Sequence, residues 1–280
     1  MLLSQDLSIE LLIVNGLVVI LVIALVFTFV YFIYYVFFQK FFHKQFFHKD
    51  PKIIKEGFEL LYYTPFFKAL DVKGKEQLVN NANKLLINTS FVTDTGQKLE
   101  KSQSFKIALV LAMVALGLEK GTHYDALIRV VVYKDVFFSK RADAYVRGLS
   151  TSNVLFLSWK DFEYGFLHMH DRYNVGIHEA AHLLTLCGYV RIGVTRDAWT
   201  VLANQFINDK NHNNGSQGIF RAYAFANLNE FWACCVEQFY ETPAEFSTAH
   251  SQLYDATKNK LGFSQKKEAT LRYGSLLPKL

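Results

Sequence analysis

Apolar residues follow three different rhythms along this chain. The first is continuous: from Leu11 to Phe38, LLIVNGLVVILVIALVFTFVYFIYYVFF, no residue is charged. As a helix rising ~1.5 Å per residue this run is about 40 Å long, more than the ~30 Å hydrocarbon core of a bilayer requires. A soluble helix rarely stays apolar on every face for so long. A cleaved signal peptide would need a basic residue before the run, a shorter run and a small-x-small site after it, and none of these is present. The pattern predicts a transmembrane helix over 11–38 following a short tail at 1–10, with Tyr31, Tyr34 and Tyr35 at the depth of an interfacial aromatic belt.

The second rhythm alternates bulky aromatics with basic residues, KFFHKQFFHK, within the segment 39–51. Such a segment suits the headgroup surface, with Phe toward the lipid and Lys toward anionic headgroups; a plain continuation of the anchor helix gives the same topology. No Lys or Arg precedes the span, while Lys40, Lys44, Lys49, Lys52 and Lys55 follow it. The positive-inside rule then predicts a single-pass protein of the inner (cytoplasmic) membrane, contacting the bilayer through 11–38 and carrying its remaining chain in the cytoplasm.

The third rhythm, mixed three and four spacing, begins after Pro51 and predicts helices over 52–70 and 75–88. A polar, turn-rich stretch at 93–104 separates them from FKIALVLAMVALGL (105–118), an apolar helix too short to span a bilayer. The β-branched and aromatic runs LIRVVVY (127–133) and NVLFLSW (153–159) have strand length. Further helices are predicted over 172–187, 227–241 with Asn227 or Asn229 as cap, and 244–262, Pro243 stopping the helix before it. One domain over 52–280 results, mostly helical with a small sheet, of α+β class.

Composition changes this picture little. The net charge of +5 is modest and concentrated behind the first apolar run, which is no nucleic-acid footprint. Three cysteines, Cys187, Cys234 and Cys235, provide no disulfide framework and no metal-type spacing.

The chemistry is concentrated in NVGIHEAAHLLT, residues 174–185. On a helix, His178 and His182 share a face one turn apart and can present two nitrogens to one tetrahedral zinc at ~2.0–2.1 Å. Glu179, turned away from the metal, can serve as base toward a zinc-activated water that attacks a peptide carbonyl. The competing reading is a buried helix whose histidines bond internally, but His178 interrupts an apolar face where an unpartnered imidazole is costly. A catalytic zinc takes a third protein ligand. The H-x-x-G-x-x-H continuation is absent, whereas NEFWACCVEQF offers Glu230 or Glu237 on a second helix.

These segments together resemble the MtfA (Mlc titration factor A) family of zinc-dependent, zincin-type peptidases. The likeness covers most of residues 90–260, through FVTDTG and the apolar helix after it, VLFLSWKDF followed by NVGIHEAAHLL, and AYAFANLNEFWACCVEQFYETP. The resemblance implies one Zn2+ held by His178, His182 and Glu230, Glu179 as catalytic base, and Tyr223, seven residues before Glu230, as a donor to the oxyanion. Glu237 then bonds a ligand histidine's free nitrogen or pairs with a basic residue. It also implies a peptide or protein substrate, with capture of a regulatory protein at the membrane, with little or no turnover, as the alternative function. Two departures stand out: Thr185 replaces the family's Asp three residues after the second histidine, and CGYVRIGVTRDAW replaces its acidic, glycine-rich loop.

Overall fold

A computed structural model describes residues 15–33, 64–118, 124, 126–209 and 218–263. The tail at 1–10, the segment 39–51, both ends of the predicted span and the 52–63 part of the first predicted helix lie outside the described residues. The chain divides into two units, Met1–Lys49 and Asp50–Leu280. Of the first, helix α1 (Asn15–Ile33) is described: it is apolar, exposed along its length, and long enough to cross a membrane.

The second unit is of α+β class. Its chain order is α2 (Pro65–Ala69), α3 (Val72–Asn88), β1 (Ser90–Thr93), α4 (Lys101–Val114), β2 (Arg129–Tyr133), β3 (Phe137–Ser139), β4 (Ala144–Val146), β5 (Gly148–Ser150), β6 (Val154–Ser158), α5 (Trp159–Leu167), α6 (Val175–Leu186), α7 (Ala198–Asn208), a 3-10 turn (Ala222–Ala226), α8 (Leu228–Glu241), α9 (Pro243–Ala249) and α10 (Ser251–Lys260). One sheet has the order β1-β2-β6-β5; β1, β2 and β6 are parallel, and β5 runs antiparallel along the edge. β3 and β4 form a separate antiparallel hairpin.

The core gathers around α4, whose residues from Phe105 to Val114 are nearly all buried. Its last carbonyls accept from tyrosines as well as from the backbone: Tyr124 donates to Leu111 O at 3.1 Å, which Ala115 N also reaches, and Tyr240 donates to Met113 O at 3.1 Å, which Leu116 N also reaches. Helix α6 packs between α4, α8 and β5, so the motif helix is held from three sides. Gly176 lets α6 come close to α5 and α4, since a Cβ there would lie 2.7 Å from the Phe162 ring and 3.2 Å from Val110 Cγ1.

Several boundaries differ from the sequence pattern, each for a local reason. α3 starts at Val72 because the Asp71 side chain caps it, accepting from Gly74 N at 2.7 Å. α4 begins inside the polar stretch, at Lys101, its first turn facing solvent more than its later ones. The predicted 244–262 helix breaks at His250, whose ring packs on Phe206 and Phe220. Pro243 both ends α8 and occupies the first turn of α9, where its missing N–H costs nothing.

Candidate metal centre

The site is built where α6 crosses α8. Asn174 starts α6: its Oδ1 accepts from Ile177 N at 3.0 Å. The same side chain donates to Gly165 O at 2.9 Å and to Glu241 Oε1 at 3.1 Å, while its backbone N–H donates to Glu237 Oε2 at 2.9 Å. One capping residue therefore ties the motif helix to α5 and α8. Trp232 Nε1 closes the other end of the crossing, donating to Ala181 O at 3.1 Å. On α8, Asn227 caps the first turn by accepting from Asn229 N and Glu230 N, which orients Glu230 toward α6.

The crossing brings His178, His182 and Glu230 together. Their Nε2, Nε2 and Oε2 atoms form a triangle with edges of 3.1, 3.0 and 3.5 Å. A tetrahedral ion bonded at ~2.0–2.1 Å requires its ligands about 3.3–3.4 Å apart, so this donor set fits zinc with little movement. The charge distribution agrees. Burial alone would raise the Glu230 pKa, but bonds from His178 and His182 hold its carboxyl far below the usual range. Burial disfavours a charged His178, yet bonds to Cys234, Glu230 and Glu237 raise its pKa well above the ordinary value. The surroundings thus favour positive charge among these donors, which is what a divalent cation supplies.

Among the described residues a second grouping, His178, Cys234 and Glu237, also has ligand atoms within 4.8 Å of one another. It is the poorer site. Glu237 is fully buried and already bonded to Arg221 at 2.6 Å, and Cys234 is buried beside it. Glu237 instead reaches the far side of the His178 ring: its Oε1 lies 2.6 Å from Nδ1.

Glu179 is buried, turned away from the donor triangle toward the edge strand. Ser150 Oγ lies 2.7 Å from Glu179 Oε2 and 3.0 Å from the Glu179 carbonyl. Gly148 abuts the same side chain: a Cβ there would lie 2.6 Å from Glu179 Cγ. Tyr223, more than half exposed, stands 6.3 Å ring to ring from His178. Burial and the negative charge of Glu230 push its hydroxyl pKa up to about 12, so it is a proton donor at neutral pH. His178, Glu179 and Tyr223 line a cavity of about 710 Å³ together with Ala144 and Tyr145 of β4 and Val136, which precedes β3.

All six residues singled out from the sequence therefore converge on one site. Thr185 does not reach across the site; its hydroxyl donates to His182 O in its own helix at 2.8 Å. Sequence reasoning missed Ser150, Gly148, Asn174 and Arg221. Asn174 stood at the head of the motif as a polar residue before an apolar run, a readable cap. A three-residue edge strand holding Ser150 leaves no periodic signal.

The arrangement belongs to a metallopeptidase-like domain. The family described as glucose-regulated metallo-peptidase M90 matches residues 43–260, and the chain belongs to that family, the one its motifs resemble. No individual curated protein matches the chain.

Proposed function

We propose that this chain is a membrane-anchored, zinc-dependent peptidase. The observation that carries the reading is the His178–His182–Glu230 triangle, with zinc-compatible edges, beside a buried Glu179. Zinc held by these three donors would supply the Lewis acidity that polarises a peptide carbonyl and acidifies water. The chain's own residues do the rest. Glu179, oriented by Ser150 and confined by Gly148, takes a proton from the attacking water and returns it to the leaving amine. Tyr223, neutral and at the cavity edge, donates to the oxyanion. Glu237 accepts the Nδ1 proton of His178, which leaves Nε2 with its lone pair toward the metal position.

The anchor is proposed to be 11–38, with the peptidase domain on the cytoplasmic side of the inner membrane. Support comes from the exposed apolar surface of α1 and from the five lysines that follow the run. A reporter fused after Leu280 should be active only in the cytoplasm.

The test of the chemistry is metal analysis of the purified full chain, paired with hydrolysis of a broad peptide library by wild type and Glu179→Gln. One zinc per chain in both proteins, with hydrolysis lost in the variant, supports the reading. Absence of stoichiometric zinc overturns it. Equal biological activity of the two proteins favours capture of a regulatory protein.

A further inference from the structure

Three segments that carry site residues also bring two arginines and a tyrosine to one wall of the cavity. Arg147 lies between β4 and β5, its carbonyl accepting from Ser158 N at 2.7 Å. Arg221 immediately precedes the turn that carries Tyr223. Tyr173 immediately precedes Asn174, the cap of α6. The guanidinium carbons of Arg147 and Arg221 lie 5.4 and 4.8 Å from the Tyr173 ring centroid. All three residues line the cavity together with Glu179 and Tyr223.

Each guanidinium is held by one carboxylate. Arg147 pairs through Nε with Asp161 at 2.9 Å, and Arg221 through Nη2 with Glu237 at 2.6 Å. These pairs and the shared ring fix the direction of both groups at little entropic cost on binding. A guanidinium has five N–H donors, so each pair leaves donors for a planar anion. The metal position is close by: two hydrogen bonds and the width of one imidazole separate Arg221 Nη2 from His178 Nε2. One or two extended residues, at ~3.3–3.6 Å each, cover such a distance.

We propose that Arg147 and Arg221, on either side of Tyr173, form a subsite for a carboxylate of the bound peptide within one or two residues of the scissile bond. The proposal deepens the peptidase reading and rests on it for the position of that bond. A free C-terminus and an Asp or Glu side chain offer the same chemistry.

Equilibrium binding, which needs no turnover, tests the subsite. The zinc-loaded full chain in detergent, carrying Glu179→Gln to prevent cleavage, is titrated with paired versions of one library peptide: C-terminal acid against amide, and Glu against Gln scanned along its length. At least one carboxylate version should bind about tenfold tighter than its neutral partner, as expected for a part-exposed charge-assisted contact. Which pair shows the difference identifies the source. Adding Arg147→Gln should cut the ratio severalfold, leaving only what Arg221 supplies, Arg147→Lys should cut it less, and Arg147→Glu should abolish it, all with zinc content unchanged. Equal affinities for both pairs, no measurable binding of any version, or a preference insensitive to Arg147→Gln overturns the subsite. Carboxylate preference in binding with no cleavage by wild type overturns the peptidase reading alone. Cleavage without any preference overturns the subsite alone.

Discussion

The imidazole of His178 bridges two glutamates of one helix: Glu230 Oε2 lies 3.0 Å from its Nε2, and Glu237 Oε1 lies 2.6 Å from its Nδ1. Seven residues separate the two glutamates, so two helical turns bring them to nearly the same face about 10 Å apart along the axis. The flat ring of His178 fits between their carboxylates and gives them different chemistry. One carboxylate joins Nε2 in the candidate donor triangle, and the other lies against Nδ1.

Different consequences should follow from removing each. Glu230→Gln takes away a charged donor from a three-donor set and should abolish tight zinc binding. Glu237→Gln should keep the metal at saturating zinc but weaken its affinity about 10–100-fold, the usual effect of losing an outer carboxylate behind a ligand histidine. Competition with a calibrated chelator measures both. Greater metal loss from Glu237→Gln than from Glu230→Gln would mean that the deeper His178–Cys234–Glu237 grouping is the metal site.

Tyr223→Phe removes only the hydroxyl. If that hydroxyl donates to the oxyanion, kcat should fall about 10²-fold with KM and zinc content little changed. Steady-state kinetics with metal analysis on the same sample checks this. Loss of zinc instead would make Tyr223 a support for Glu230, which it neighbours electrostatically.

Gly148 and Ser150 provide a test of how Glu179 is positioned. A methyl group at 148 would sit 2.6 Å from Glu179 Cγ, with no room unless the carboxylate moves. Gly148→Ala should therefore lower kcat at least tenfold while zinc binding persists, since a misplacement of about 1 Å can cost 10²-fold. Ser150→Ala should have a smaller effect in the same direction, and Ser150→Thr, which keeps the hydroxyl, should restore part of the rate. If neither variant changes kcat, Glu179 does not depend on the edge strand.

What was legible in the sequence follows from how far apart the interacting residues are. His178, Glu179 and His182 are fixed by one helical turn, and the strand before them and the helix after them have strong apolar patterns. The apolar helix at 227–241 offered Glu230 or Glu237; family resemblance chose Glu230 between them and added Tyr223, which no local rule could join to the motif. The bond from Ser150 to Glu179 and the stacking of Arg147 and Arg221 on Tyr173 exist only after β5 pairs with β6 and α6 packs against it. Short elements such as β3, β4 and β5 have too few residues for a period to register. Helix α5 was hidden because it begins directly at the end of β6, with Ser158 serving as the last residue of one and the cap of the other.

Glu241 carries the last prediction, one of pH. It lies one turn beyond Glu237, almost fully buried, with Oε1 accepting from Asn174 Nδ2 and Oε2 without a hydrogen-bond partner. Burial first, and the negative charge of Glu237 after it, overcome the Asn174 bond and push its pKa up to about 8 from an ordinary 4.5. The folded value lies above the unfolded one, so folding takes up a proton between these limits. The stability this contributes is complete below about pH 4.5 and is lost as pH rises through about 8. Glu241→Gln is neutral at every pH and keeps an oxygen for Asn174. The variant and wild type should therefore have similar stability at pH 5, with the variant ahead by a few kcal/mol, roughly, at pH 9. Denaturant melts of both proteins at equal zinc loading read this directly, and taking their difference cancels the pH dependence of metal binding itself. A difference that stays constant from pH 5 to 9 would mean that Glu241 is ionised in the folded chain throughout, its charge held by a partner as Arg221 holds that of Glu237.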